Sequence, residues 1–196
     1  MPSQAFIGEP ILGTGGIVPR PAGYWAAIQS VLKKYDILLV DDEVVTGFGR
    51  FGSMLRSDHY GLEADIITIA KGLTLAYAPL SGSIIGKKMW EVLEKGTDES
   101  GPIGHRWTYS AHPVRAAAGV ANLKLIAELD LVADAGAVGA YLSASMKQAL
   151  GDHTHVGDVR GEGMICAIEF FKDKDSRTFF YAADKIRPQV SVALLS

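Results

Sequence analysis

The sequence contains a single cysteine, Cys166, so it excludes an internal disulfide and favours a reducing compartment. Cys166 lies in the apolar run MICAIEFF and is interpreted as a buried structural thiol rather than a nucleophile. The net charge is -3 over 196 residues, which gives no reason to expect nucleic acid or an anionic membrane as a partner. No apolar run reaches the length of a membrane span, and the N-terminus lacks the features of a signal peptide. We therefore expect a cytoplasmic protein.

Short apolar runs alternate with segments of helical periodicity over the first hundred residues. The runs expected to form strands are 5–10, 36–40, 64–70 and 79–86, the last three of them buried, and the expected helices are 22–35, 53–62 and 87–96. Gly61 and Gly96 are expected to end the second and third helices. This alternation predicts an α/β protein with a mainly parallel sheet and flanking helices.

The composition of the sequence changes after a long polar loop at 97–113. Ala-rich helices follow from Val114, then two strands around a glycine turn, and DSRTFFYAADKI is expected to form a final helix with Ser176 as its N-cap. We assign residues 1–130 to part of a large domain. Residues 131–196 are assigned to a linking helix and the start of a small, incomplete α+β C-terminal domain.

Charged residues follow two of the predicted strands. The run ILLV ends in Asp41, Asp42 and Glu43, and the run DIITIA ends in Lys71. The carboxyl ends of parallel strands meet at one edge of a sheet, where ligands of α/β proteins bind. A partly desolvated lysine can form a Schiff base, and a carboxylate can hold a proton on a heterocyclic nitrogen; together these groups define a pyridoxal phosphate site. An ordinary Asp–Lys ion pair at the sheet edge fits the same spacing, so both interpretations stay open on the residues alone.

Five motifs occur in order along the chain: GEPILGTGG, LLVDDEVVTGFGR, DIITIAKGLT, APLSGSIIG and WTYSAHP. In this order and spacing the sequence resembles class III (omega-type) aminotransferases, which are fold type I enzymes dependent on pyridoxal phosphate. The resemblance extends from about Phe6 to about Ala183. It implies that 1–130 belongs to the cofactor-binding large domain. It also implies transfer of an amino group from a primary amine or omega-amino acid to a keto acid such as pyruvate.

The resemblance also implies roles for individual residues. Lys71 would be the catalytic residue that forms the Schiff base with the cofactor and then moves the substrate proton. Asp42 would pair with the pyridinium nitrogen, and Val44 would pack on one face of the ring. Thr108 would reach the cofactor phosphate of the neighbouring subunit, so a homodimer with shared active sites is expected. Glu9 is a candidate substrate residue, for which a structural role is an equal alternative.

Glu43, His153 and His155 are not expected to take part in the chemistry of the site. Glu43 is expected to be part of the scaffold. His153 and His155 stand in a polar loop with no further ligand residue nearby, so no metal site is expected.

Several features depart from the family pattern. The chain is much shorter than a full member, and we expect truncation at both ends. Asp41 stands where a small residue is usual, and repulsion between adjacent acids is expected to raise the pKa of at least one of them. Arg106 and Arg115 are also unusual, and no role follows for either. Two alternatives therefore stay open: a catalytically incomplete fragment with a structural or dimerising role, and a pyridoxal-phosphate-dependent aminomutase or racemase.

Overall fold

The central sheet is built around β2 (Leu38–Asp42), in a computed structural model that describes residues 4–102, 108–184 and 186. The strand order is β1 (Ala5–Gly8), β2, β3 (Ile66–Ile69) and β4 (Gly82–Ile85). β1 and β3 run parallel to β2, whereas β4 runs antiparallel to β3. The prediction of a mainly parallel sheet with flanking helices is confirmed.

Two strands differ from the prediction. β2 does not end before the acids but continues through Asp41 and Asp42, because strand pairing uses backbone groups that acidic residues also provide. The expectation that 79–86 holds a buried strand is wrong, since every residue of β4 is exposed. β4 has a hydrogen-bonded partner on only one side within the described chain, and an edge strand buries less of its surface.

One face of the sheet is covered by α1 (Tyr24–Lys34). Trp25 and Leu32 recur on one side of this helix and pack against Leu39 of β2 to form the buried core cluster. The Trp25 Nε1–H donates a hydrogen bond of 3.1 Å to the carbonyl of Pro10, so its polar edge is satisfied inside the core. The core therefore fixes β2 against the helix that precedes it in the sequence.

The described residues also form four further α-helices. They are α2 (Arg56–Tyr60), α3 (Lys87–Ser100), α4 (Pro113–Glu128) and α5 (Leu131–Leu150). Gly61 follows α2 in the left-handed conformation, as predicted. Gly96 does not end α3, which continues to Ser100, because the helix is exposed there and a glycine only weakens it. None of the helices within the described ranges is long and apolar enough to cross a membrane.

A second sheet follows α5. It is antiparallel and contains β5 (Val156–Glu162), β6 (Ile165–Asp173) and β7 (Thr178–Phe179). The predicted hairpin around a glycine turn is confirmed, with Gly163 at φ +55° between β5 and β6. The division of the chain into domains near residue 130 stays a prediction.

The predicted final helix at 175–186 is wrong in its first part, and only a short 3-10 turn (Ala182–Asp184) follows β7; residue 185 lies outside the described residues. Asp173 accepts hydrogen bonds from the backbone N–H groups of Asp175 and Ser176 and so closes a turn instead of leaving Ser176 to cap a helix. β7 then pairs with β6, and the ring of Phe179 lies 4.8 Å from that of Phe171. Cross-strand aromatic contact outweighs the weak helical periodicity here.

The β5–β6 turn is pressed against the loop that follows β2. The Met164 N–H donates a 2.9 Å hydrogen bond to the carbonyl of Arg50. A Cβ atom on Gly163 would lie 2.4 Å from that carbonyl oxygen and 2.5 Å from the Cα of Phe51. Beside them, the largely buried guanidinium of Arg56 forms an ion pair with Glu162. The turn thus approaches the loop at a distance that only glycine permits.

Replacing Gly163 with Ala is expected to lower the free energy of unfolding more than replacing Gly61 with Ala. Both glycines have a similar left-handed φ, +55° and +60°, but nothing lies within 4 Å of a Cβ on Gly61. The difference therefore isolates the backbone clash, which we expect to cost about 1–3 kcal/mol more. Chemical denaturation of the two variants measures it, and equal losses would show that the turn does not approach the loop this closely.

Candidate active site

The three acids of the segment VDDEV lie in different surroundings. Side chains alternate between the two faces of a strand, so Asp41 shares a face with Leu39 while Asp42 lies on the opposite face. Asp41 and Glu43 are fully buried, whereas Asp42 is half-buried. Only Asp42 is therefore placed for contact with a ligand at the strand end.

Asp42 is held by hydrogen bonds to one of its carboxylate oxygens. The Val44 N–H donates to Oδ1 over 3.0 Å, and the Thr68 hydroxyl of β3 donates to the same oxygen over 3.2 Å. Oδ2 has no hydrogen bond among the residues that the structure describes. The carboxylate is thus oriented through one oxygen and has the other oxygen available as an acceptor.

Lys71 emerges at the same edge of the sheet, as the strand order predicted. Asp42 is paired with Thr68 in the parallel register, and Lys71 begins a short 3-10 turn (Lys71–Leu73) after β3. The residue is exposed, so the expectation of a partly desolvated lysine is wrong. Its φ is +35°, a strained value for a residue other than glycine, and such strain recurs at functional sites.

A residue that the sequence analysis missed holds the Lys71 turn in place. The buried side chain of Asn122 on α4 donates hydrogen bonds to the carbonyls of Gly72 and Leu73, at 2.8 and 3.1 Å. Next to them, the Thr74 hydroxyl donates to the carbonyl of Ala78 over 2.7 Å. A single asparagine in an Ala-rich helix was the available signal, because a buried amide requires partners.

Lys71 lines a cavity of about 370 Å³. Arg50, from the glycine-rich loop after β2, lines the same cavity, together with small and apolar residues of the segment 72–80. The sequence analysis recognised Arg50 as part of a motif but gave it no role. The cavity therefore contains a second cation that the sequence did not reveal.

The other candidates lie elsewhere. Thr108 is exposed and lines a neighbouring cavity with Tyr109 and Arg115, which shares Pro79 and Leu80 with the Lys71 cavity; Thr108 itself does not line the Lys71 cavity. The Arg115 guanidinium lies over the ring of Tyr109, 5.9 Å from its centroid. Val44 is half-buried beside Asp42. Arg106 lies outside the described residues.

Glu9 follows β1 and has a structural contact. Its Oε2 accepts a 2.8 Å hydrogen bond from the Gly13 N–H, which closes the turn after the strand. Glu9 is not among the residues that line the Lys71 cavity. Its role in substrate binding stays a prediction.

Glu43 has the contacts expected of a scaffold residue. One carboxylate oxygen accepts the Ser57 N–H at 2.6 Å, and the other accepts the hydroxyl of Thr46. Ser57 lies in the first turn of α2, where backbone N–H groups have no partner within the helix. Glu43 therefore ties β2 to α2.

Asp41 is buried without compensation. Neither of its carboxylate oxygens has a hydrogen-bond partner in the described part of the chain. Burial is the largest cause and, together with the negative charges of Glu43, Asp42 and Asp58, raises the pKa of Asp41 to about 7, although the Ser57 side chain opposes the rise. The predicted upward shift of the pKa of one of the adjacent acids is confirmed, with burial as its main cause.

The family model described as Aminotransferase class-III matches residues 3–186 of the chain. The chain belongs to the class III aminotransferase family. Enzymes of this family depend on pyridoxal phosphate.

Named relatives of this class III aminotransferase chain are transaminases. It is 59% identical over 191 residues to diaminobutyrate–2-oxoglutarate transaminase of Halomonas elongata. This alignment covers 97% of this chain and 41% of the relative. It is 42% identical over 176 residues to putrescine–pyruvate aminotransferase of Pseudomonas aeruginosa, covering 90% and 38%. The chain thus spans about two fifths of the length of these relatives.

Solved structures agree with the sequence relatives. A thermostable (S)-enantioselective omega-transaminase from Thermomicrobium roseum superimposes with a TM-score of 0.92 at 42% identity, covering 96% of this chain and 41% of that chain. The fold of this chain therefore matches the corresponding part of a transaminase structure, in agreement with the fold predicted from the sequence.

The residues at the sheet edge fit pyridoxal phosphate. The free oxygen of Asp42 suits the protonated nitrogen of the cofactor ring, because a carboxylate is the strongest hydrogen-bond acceptor for a cationic donor. The exposed amine of Lys71 at the same edge suits its aldehyde. Both groups are present in this chain and are held by contacts within it.

Replacing Asp41 with Asn is expected to stabilise the protein at pH 8 but not at pH 4. The folded protein keeps a proton on Asp41 up to about pH 7, whereas the unfolded chain releases it near pH 4. Wild-type stability contributed by this group is therefore present at low pH and is lost as the pH rises towards 7. The Asn side chain has no charge to bury, so the gain should be a few kcal/mol above pH 7.

Urea denaturation of wild type and variant across this pH range measures the effect. Asp152→Asn, at an exposed position, is the matched control and should follow the wild type. A loss of stability in Asp41→Asn at pH 8 would show instead that Asp41 is ionised and paired.

Proposed function

We propose that the protein containing this chain is a transaminase that transfers an amino group from a primary amine or omega-amino acid to a keto acid such as pyruvate. The observation that carries the proposal is the register of the parallel strands β2 and β3, which pairs Asp42 with Thr68 just before Lys71 in the sequence. Membership of the class III family supports the reaction type. The names of the relatives concern diaminobutyrate and putrescine, and both are primary amines.

In this proposal each residue has a defined task. When bound, pyridoxal phosphate supplies an electron sink that makes the hydrogen on the substrate carbon acidic. Asp42 would accept a hydrogen bond from the protonated ring nitrogen of the cofactor. Lys71 would hold the cofactor, and its amine would move the substrate proton as general base and acid. Val44, beside Asp42, would contact one ring face.

We further propose that two copies of the chain assemble with shared active sites, and that the protein is cytoplasmic. Thr108 is exposed and separate from the Lys71 cavity, which fits a role towards the cofactor phosphate of a second subunit. The surface nearby is apolar: Leu75 and Tyr77, next to the Lys71 turn, are 58% and 89% exposed. Large exposed apolar residues of this kind are characteristic of subunit contacts.

A second candidate is a catalytically incomplete chain with a structural or dimerising role. The observation that favours it is the coverage, since the chain spans about two fifths of its transaminase relatives. Turnover of a primary amine with pyruvate by the 196-residue chain would exclude this alternative.

Replacing Lys71 with Ala is expected to abolish the visible absorbance of covalently bound pyridoxal phosphate in the reconstituted protein. The anchor amine would be missing, and no other amine would replace its position at the sheet edge. Lys124→Ala, an exposed lysine on α4, removes the same charge and should retain the absorbance. The same absorbance in wild type and Lys71→Ala would contradict the assignment.

Replacing Tyr77 with Glu is expected to shift the protein from dimer to monomer, because a charge would have to be buried in the subunit contact. Tyr35→Glu is the control, since Tyr35 is also exposed but lies at the far end of α1. Analytical ultracentrifugation measures the mass of both variants. A dimer that persists in Tyr77→Glu would place the contact elsewhere.

A further inference from the structure

The segment that follows β3 holds three residues other than glycine in the left-handed region of the backbone. Their φ values are +35° at Lys71, +50° at Leu75 and +64° at Ala76. A Cβ atom makes this conformation unfavourable, so it persists only where the surrounding structure enforces it. The conformation at Lys71 therefore depends on contacts from other parts of the chain.

Asn122 of α4 supplies such a contact. Its side chain is buried, and its amide nitrogen donates hydrogen bonds to the carbonyls of Gly72 and Leu73 at 2.8 and 3.1 Å. The two carbonyls lie 50 and 49 residues away in the sequence, so the contact is tertiary rather than local. Both belong to the 3-10 turn that begins at Lys71. One side chain thus fixes two of the peptide groups that follow the lysine.

The other side of the turn is blocked by the glycine-rich loop after β2. A Cβ atom on Gly72 would lie only 3.0 Å from the Cβ of Phe48 in that loop. On the side of α4, a Cβ atom on Gly119 would be in ordinary contact with Leu73, at 3.8 Å. The turn is therefore enclosed between the loop and α4, and the hydrogen bonds of Asn122 set its position between them.

We propose that Asn122 is a positioning residue for the reaction at Lys71. This inference rests on the proposed function and deepens it, since Asn122 acts on the amine through the backbone of the turn. By fixing the carbonyls of Gly72 and Leu73, it keeps Lys71 in the left-handed conformation in which its side chain leaves the backbone at the sheet edge. Without the two hydrogen bonds the turn relaxes towards a favourable φ, and the amine is no longer held at this edge.

The alternative is that the buried asparagine contributes to stability alone. Both roles predict a less stable protein when the amide donors are removed, because two carbonyls lose their partner. Only positioning predicts a selective effect on the Lys71 turn and on the cofactor. Ile126 provides the matched control, since it is buried on the same helix and its apolar side chain cannot donate a hydrogen bond to the turn.

The first measurement is amide hydrogen exchange of the cofactor-free 196-residue chain, followed by NMR. The N–H groups of Leu73 and Leu75 donate hydrogen bonds within the turn and report on its opening. Asn122→Asp has nearly the same shape without the amide donors. We expect it to accelerate exchange at these two positions about tenfold or more relative to the amides of β2. Ile126→Ala should lower global stability and leave this ratio unchanged.

The second measurement is the affinity for pyridoxal phosphate, read from the visible absorbance of the covalently bound cofactor. Asn122→Asp is expected to bind about tenfold more weakly than the wild type, since the lysine must be reoriented on binding. Asn122→Gln keeps the amide donors on a longer side chain and should retain part of the affinity. Ile126→Ala should bind as the wild type does.

Equal cofactor affinity in wild type and Asn122→Asp would overturn the proposal. A loss of affinity in Ile126→Ala as large as that in Asn122→Asp would also overturn it, because stability alone would then explain both.

The wild type keeps the inference testable if Asn122→Asp does not fold. Because Asn122 ties the turn to α4, the N–H groups of Leu73 and Leu75 should be protected from exchange as strongly as those in the middle of that helix. Rapid exchange of the turn while α4 stays protected would show that the turn opens without Asn122 holding it, and would overturn the proposal.

These outcomes are separate from those that test the transaminase proposal. Faster exchange of the turn in Asn122→Asp, in a protein that does not bind pyridoxal phosphate through Lys71, would remove the proposed function and keep the hold of Asn122 on the turn. Cofactor binding through Lys71 that Asn122→Asp leaves unchanged would do the reverse.

Discussion

The parallel pairing of β2 with β3 is the constraint on which the rest of the site depends. Its register sets Asp42 opposite Thr68, so the carboxylate receives the threonine hydroxyl and Lys71 follows at the same edge. A shift by one residue would turn Asp42 to the opposite face and bring Asp41 to the ligand side. The register is secured on the other face, where Leu39 packs into the core with Trp25 and Leu32. The packing of Leu39 in the core and the position of Asp42 are thus fixed by the same strand register.

The alternation of side chains along β2 explains why adjacent acids have different properties. Asp42 is half-buried and oriented by hydrogen bonds, Glu43 is fully buried and satisfied by α2, and Asp41 is fully buried and unsatisfied. Desolvation and hydrogen bonding have opposite effects on the pKa of a carboxyl group. For Asp41, burial and the neighbouring negative charges outweigh the opposing effect of the Ser57 side chain, so this residue carries the raised pKa.

Much of the fold was predictable because its signals are local. Apolar runs marked the strands, and Gly61 marked the end of α2 through its left-handed conformation. The failures have non-local causes. β4 is exposed because it pairs on one side only, and β7 forms because Phe179 meets Phe171 across strands. Neither the exposure of β4 nor the pairing of β7 can be predicted from the residues of the strand alone.

The candidate site divides in the same way. The order of motifs selected Asp42 and Lys71 as site residues, which stays a prediction, and the parallel pairing of β2 with β3 sets both at the same edge of the sheet. Asn122 and Arg50 were missed because their relevance depends on distant partners: Asn122 on the carbonyls of the Lys71 turn, and Arg50 on the cavity wall. Sequence spacing predicts which residues share a sheet edge, but not which side chains a helix or loop brings to it.

A buried polar network joins the site to the second sheet, and its purpose is geometric rather than energetic. α2 carries both ends of it: Ser57 donates to Glu43, which follows Asp42, and Arg56 pairs with Glu162 at the end of β5. Buried ion pairs add little net stability, because desolvation offsets their attraction. The pair of Arg56 and Glu162 favours one position of the β5–β6 turn, however, since any other placement of the turn would leave both charges unpaired. The same turn holds the backbone of Arg50, so the position of the second sheet is transmitted to the cavity beside Lys71.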